Sequence, residues 1–253
     1  MSTHTATEAI DFIAAANDFQ AQQTAVPEVL KSTRNAGLNA LQGMALPTRK
    51  TESWKYTSLY PLTTAPFLQA PDTANLAAAD LDPYLIKDLD VYRLVFIDGQ
   101  FNASLSDTID EITAALFSQC DEGNLIAENL NSTFKLEKHF FAQLNSCLLQ
   151  DGLLIRIPRN TKVSKPIHLL QLNTQQAEPF YSQQRILVVA EEGSQVTIID
   201  HRESRGESNS LSNSLVEIDL GANANLAHIS LQLEAETQIA ISGTHVNQSR
   251  DSH

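Results

Sequence analysis

Apolar residues recur at helical spacing early in the chain and at strand spacing late in it. In TEAIDFIAAANDF, Ile10, Phe12, Ile13 and Phe19 fall along one helical stripe. PEVLKSTRNAGLNALQGM repeats the pattern behind Pro27, a favoured first-turn residue, so two amphipathic helices joined by a short loop are expected. Residues 61–83, rich in Pro, Ala, Thr and Asp, suit an irregular connection. VYRLVFIDGQF alternates up to Asp98-Gly99, the signal for a short strand entering a tight turn or hairpin. STFKLEKHFFAQLNSCLL returns to helical spacing through Leu136, Phe140 and Leu144. Beyond Asp151 the runs LLIRIP, QRILVVA, QVTIID, SLVEIDL, LAHISLQL and TQIAIS read as strands with no helix between them.

Those strands repeat. Ile155, Ile157, Asn160 and Val163 recur 33 residues on as Val188, Ala190, Gly193 and Val196, and 30 further on as Ile218, Leu220, Asn223 and Leu226. Each copy runs strand, short polar turn, apolar residue, and its turn position holds Asn or Gly, which adopt a left-handed backbone at least cost. A unit of this kind cannot bury its apolar face alone, so stacking into a continuous core is the natural solution. The expected fold is mainly β with an α-helical N-terminal region: residues 1–150 form helices with short strands and a linker, and residues 151–253 the first rungs of a parallel β-helix. The alternative is a sandwich or Greek-key domain. HRESRGESNSLSN, residues 201–213, reads as a polar loop projecting from a strand end, with Arg202, Glu203, Arg205 and Glu207 on it. The last strand has neither a capping helix nor a polar outer rung after it, so a C-terminally incomplete solenoid is expected.

Charge narrows the function classes. With 17 Lys and Arg against 30 Asp and Glu, the net charge of −13 repels phosphate backbones, and no nucleic-acid partner is expected. No run approaches the roughly 20 apolar residues of a membrane helix, and residues 1–20 carry no secretion signal, so no membrane association and a cytoplasmic location are expected. Cys120 and Cys147 are too few and too distant for a disulfide framework or a C-x-x-C site, and both read as buried helical thiols. Phosphate-loop, dinucleotide, H-E-x-x-H and G-x-S-x-G signatures do not occur.

What remains is sparse. His168 and His201 are 33 residues apart, the interval of the first two copies, so neighbouring rungs could stack the imidazoles or let them share a soft metal. His228 falls on the strand face opposite Ile229 and Leu231 and reads as hydrogen-bonded or exposed; His245 and His253 have no assignable environment. Asp200, Glu217 and Asp219 are the strand carboxylates that a solenoid acting on acidic polysaccharide would use, and Glu217 and Asp219 share a face. A solvated strand face looks the same. No residue is assigned a catalytic, cofactor or metal role.

LPTRKTESWKYTSLYPL holds the only tryptophan, among basic, hydroxyl and aromatic residues. Stacking on a base is disfavoured by the charge, and a lone Trp more often anchors packing, so the segment reads as a clasp tying the N-terminal helices to the rest of the chain. Through Pro47, Arg49, Glu52, Trp54, Lys55, Tyr56 and Thr57 it resembles the N-terminal motif of the SufB/SufD family, the scaffold subunits of the Suf iron–sulfur cluster assembly machinery. LNSCLLQDGLLIRIPRNTKVSKPIHLL, RILVVAEEGSQVTIIDH and LVEIDLGANANLAHISLQLE extend the resemblance over nearly the whole chain. It implies a right-handed parallel β-helix and a non-catalytic scaffold, in which SufD and SufB pair through their β-helices. It also implies that each binds the ATPase SufC through a C-terminal helical domain. An iron–sulfur cluster or flavin would then belong to the complete complex and not to this chain alone. The later rungs and helical domain have no counterpart here, so the SufC contact is expected to be missing and SufB pairing badly weakened. The competing reading is a β-solenoid enzyme acting on polysaccharide.

Overall fold

The computed structural model describes residues 4–23, 26–63, 67–69, 76–135 and 138–253. Two helices come first, α1 (His4–Ala21) and α2 (Glu28–Leu41). Short strands and helices come next: β1 (Leu68–Gln69), β2 (Tyr92–Ile97), β3 (Gln100–Phe101), β4 (Thr113–Leu116), α3 (Gly123–Asn129) and α4 (Phe140–Cys147). From β5 (Leu153–Ile157) the chain is all strand: β6 (Ile167–Thr174), β7 (Phe180–Ala190), β8 (Gln195–Arg205), β9 (Ser210–Leu220), β10 (Asn225–Leu233) and β11 (Ile239–Gln248). Leu136, placed on the α4 stripe by its spacing, lies outside the described residues.

Strands alternate between two sheets. One has the order β11-β9-β7-β5-β4, with β1 beside β7, and the other β10-β8-β6-β2-β3. Pairing is parallel from rung to rung, and among the described residues only β4 with β5 and β3 with β2 run antiparallel. This is a parallel β-solenoid of about three turns, and a sandwich is excluded by the parallel ladders. Ile155 pairs with Val188 and Val188 with Ile218, while Ile157, Ala190 and Leu220 form the next row. These are the residues the repeat superimposes. Their side chains meet Ile167, Leu169, Val196 and Ile198 of the facing sheet in one core cluster.

The corners explain the turn residues. Asn160, Gly193 and Asn223 have φ of 58°, 70° and 59°. The N–H of each donates to a carbonyl of the following corner: Asn160 to Glu192 (2.9 Å), Gly193 to Ala222 (2.9 Å) and Asn223 to Arg250 (3.0 Å). Asp251, φ 57°, is a fourth corner that the three aligned copies do not include. Gly193→Ala is expected to cost about 1–2 kcal/mol, because φ stays left-handed and a Cβ would lie 2.5 Å from Asn160 Oδ1. A urea unfolding curve checks it, and Gly193→Asn should lose less.

Helices plate the outer face of the β5-β7-β9 sheet. All eight residues of α4 are buried, and Asn145 Nδ2 donates to the carbonyls of Gln184 (2.9 Å) and Asn213 (2.8 Å), bridging β7 to β9. Burial pushes the Cys147 thiol up to about 12, so it is an inert core residue. Cys120 does not lie in a helix; it comes just past the turn that follows β4, half-buried. The hairpin at Asp98-Gly99 is present as expected, with φ of 50° and 87°.

Candidate functional sites

Residues 201–213 are not a projecting loop. β8 runs through Arg205 and β9 starts at Ser210, leaving only 206–209 as a turn. The polar residues of HRESR were misleading because the solenoid interior is itself polar at this level. In β6 the inward positions change from Ile167 and Leu169 to Gln171; in β8 they change from Ile198 to Asp200, Arg202 and Ser204. In β9 they change the other way, from Ser210, Ser212 and Ser214 to Val216 and Ile218.

Within this layer Gln171 joins the two sheets. Its Nε2 donates to Asp200 Oδ1 (2.5 Å) and its Oε1 accepts from Ser214 Oγ (3.2 Å). Arg202 Nη2 donates to Ser230 Oγ (2.6 Å) and lies 3.5 Å from Asp200 Oδ2. His228 points into the same layer, its Nε2 4.0 Å from Asp200. Burial raises the Asp200 pKa, opposed by the Arg202 and His228 charges, and lowers that of His228, where Asp200 opposes it and Arg202 adds to it. Arg205 pairs with Asp80 at 2.9 Å on the outside, Glu203 lies 3.5 Å from His201, and Glu207 is exposed.

The three strand carboxylates do not converge. Asp200 is inside the solenoid, while Glu217 lies under α4 on the outer face, fully buried against Arg185. Asp219, on the face of Glu217, accepts from Asn247 Nδ2 (2.6 Å). Arg185 also donates to Asn131 Oδ1 (2.6 Å), Asn145 Oδ1 (3.2 Å) and Ser146 Oγ (3.3 Å), and Glu217 accepts from Asn131 N–H (3.1 Å) and Thr133 Oγ1 (2.8 Å). Sequence reasoning missed Arg185. The available signal was its opposite charge on the same face as Glu217, 32 residues apart and close to the repeat interval.

His168 and His201 do stack, with ring centroids 5.2 Å apart and 20° between planes. Their register is diagonal, since His168 pairs with Ile199 and His201 with Leu170. Nε2 of His168 faces Nδ1 of His201 at 3.0 Å, so these nitrogens share a proton with each other and are not open to a shared metal. Among the described residues no three His, Cys, Asp or Glu come together as a metal site. Burial first, then His201 and Arg93, lowers the His168 pKa to about 4. Unfolded, the ring takes a proton near its ordinary value of about 6.5. Between the two values the unfolded chain holds more protons, so stability present at neutral pH is lost as pH falls from about 6.5 to about 4. Urea midpoints measured across that range should drop with acid in the wild type and drop less in His168→Leu.

The Trp54 segment is part clasp, part surface. Trp54 packs on Phe141 of α4 at 5.1 Å between centroids and joins the cluster of Leu41, Leu46, Leu59 and Phe140. The Thr57 N–H donates to the Trp54 carbonyl at 3.1 Å. Arg49, Glu52, Lys55, Tyr56 and Thr57 are exposed, Tyr56 to 90%. Pro47 and Trp54 line a cleft of about 400 Å³ between this segment, α4 and β11. His245 has an environment after all: it stacks on Phe134 at 4.3 Å and meets His139 edge-on at 5.3 Å, and burial lowers its pKa. His253 is exposed, its N–H donating to Ala224 O (2.9 Å).

Helices laid against a parallel solenoid define the class, a β-helix protein whose buried polar residues are engaged in holding rungs and plating together. The chain belongs to the SufB/SufD family: residues 5–169 match the SufBD protein N-terminal region, and residues 172–253 match the SufBD core domain of SUF system FeS cluster assembly. An iron–sulfur cluster assembly SufBD family protein of Synechocystis sp. is 30% identical over 238 residues, covering 88% of this chain and 52% of the relative. The iron–sulfur cluster assembly protein SufD of Escherichia coli is 29% identical over 199 residues, covering 78% and 45%. The chain spans about half the length of these curated relatives. No helix among the described residues is long and apolar enough to cross a membrane.

Proposed function

We propose that the chain serves as a non-catalytic scaffold in iron–sulfur cluster assembly, with the solenoid as a docking body and the nascent cluster as cargo of the whole complex. The observation that carries this is the match of both SufBD regions, in order, along a chain that folds as a β-helix. The partners implied by the resemblance are a SufB-type subunit, met through the β-helix, and a SufC-type ATPase as the third member of the complex. The dispersal of Asp200, Glu217 and Asp219 speaks against the polysaccharide-acting alternative, because acid and base must flank one scissile bond. Co-expression with a SufB-type subunit, followed by cross-linking and affinity purification of this chain, tests the proposal. A cross-link between the two solenoids is expected. Unaided cleavage of an acidic polysaccharide by the purified chain, or a cross-link that maps only outside the β-helix, would overturn it.

A further inference from the structure

In a chain of net charge −13, residues 49–55 hold Arg49, Lys50 and Lys55 against the single acid Glu52. All four are exposed. Lys55 Nζ lies 5.3 Å from the centre of the Tyr56 ring, and that ring is 90% exposed, so an apolar surface and a cation are presented together. Immediately behind them opens the cleft of about 400 Å³, whose walls include Met44, Pro47, Trp54, Phe141 and Ile241 and whose rim includes Lys138. No Asp or Glu stands among its described lining residues.

A cleft of that size holds one or two bulky side chains, and its apolar walls give such a group a site to bury in. Exposed aromatic and Arg side chains around an apolar cavity are the composition of an interface hot spot, not of an idle surface. The cations are spread over seven residues of sequence beside a cleft with apolar walls, which suits a peptide carrying both carboxylates and an apolar side chain. They are one or two positions from the lining residues Pro47, Thr51 and Trp54 along the chain.

We propose that the Trp54 cleft and the basic strip beside it form a docking surface for an acidic peptide segment that carries one or two bulky apolar residues. The apolar group enters the cleft and packs against the Trp54–Phe141 pair; its flanking carboxylates meet Arg49, Lys50, Lys55 and Lys138. This surface lies where the Trp54 segment and α4 meet β9 and β11 of the solenoid.

The fluorescein-labelled peptide DEDLFEDE, titrated against the 253-residue chain with anisotropy and Trp54 emission read together, tests the proposal. Trp54 is the only tryptophan, so a change in emission reports the cleft itself. Saturable binding at low salt is expected, weakening as salt is raised. Arg49→Glu combined with Lys50→Glu and Lys55→Glu changes only exposed side chains and should leave the unfolding midpoint in place while weakening binding about ten-fold, the combined effect of several exposed ion pairs. Replacing Leu-Phe of the peptide by Ala-Ala should abolish the emission change. Equal binding of QNQLFQNQ, equal binding by the charge-reversed chain, or an Ala-Ala peptide that still perturbs Trp54 would each overturn the proposal. So would saturation of the cleft by free 4-phenylbutyrate with no response to the peptide, which marks a small-molecule site, or self-association of the chain that excludes the peptide.

Discussion

Glu217→Ala is expected to lower the free energy of unfolding by about 3–5 kcal/mol, the usual cost of stranding one partner of a buried ion pair. Arg185 and Glu217 are both fully buried, and burial pulls the Arg185 pKa down while Glu217 pulls it back up. Removing the carboxylate leaves a guanidinium without its counter-charge beneath α4. It also strips the Asn131 N–H and the Thr133 hydroxyl of their acceptor. Glu217→Gln, which keeps an acceptor oxygen, should lose less. Arg185→Met combined with Glu217→Leu should recover part of the loss, because an apolar pair carries no desolvation penalty. Urea unfolding followed by circular dichroism measures all three. A Glu217→Ala chain as stable as the wild type would show that the pair is solvated and that α4 does not seal this face.

Gly37→Ala is expected to destabilise the protein by about 1–3 kcal/mol, although alanine in an isolated helix is favoured over glycine by about 1 kcal/mol. The opposition comes from packing. A Cβ at position 37 would lie 2.7 Å from the Cys147 nitrogen, 2.7 Å from Ser146 Cβ and 2.9 Å from the Gln143 carbonyl oxygen, and backbone atoms cannot swing aside. α2 must therefore move away from α4. That motion pulls Arg34 from the carbonyls of Leu149 and Gln150, to which it donates at 2.7 and 2.8 Å. Gly43→Ala is the control, since its nearest neighbour would be 3.8 Å away, and it should be close to neutral. If both substitutions prove neutral, α2 and α4 do not approach each other this closely.

Both sites bear on what could be foreseen. Gly37 sits in a segment legible as a helix, yet nothing local marks it as the point where α4 crosses; that needs the partner 106 to 110 residues away. Arg185 stands just ahead of the apolar run ILVVA, where nothing local marks it as buried, and Glu217 looks equally like a residue of a solvated strand face. The His168–His201 contact was foreseen from the interval, but only the diagonal register shows that the rings bind each other. Residues 102–131 offered no clear period beyond the helix expected around Cys120, and β4 and α3 were not anticipated there. β4 has four residues and α3 seven, too short for a periodic signal, and tertiary packing holds them in place.

By itself the sequence determined a repeating β half with its corners: aliphatic residues recur at a near-constant interval with Asn or Gly at each turn, and local backbone sterics place those turns. The parallel ladders then chose the solenoid over a sandwich. The tertiary structure alone decided which polar side chains are interior. Alternation along a strand says that Arg185, Asp200, Arg202 and Glu217 take one face or the other, but not whether that face meets water, a facing sheet or a plating helix. That depends on elements far away in the chain, and a charged residue becomes structural or exposed according to what covers it.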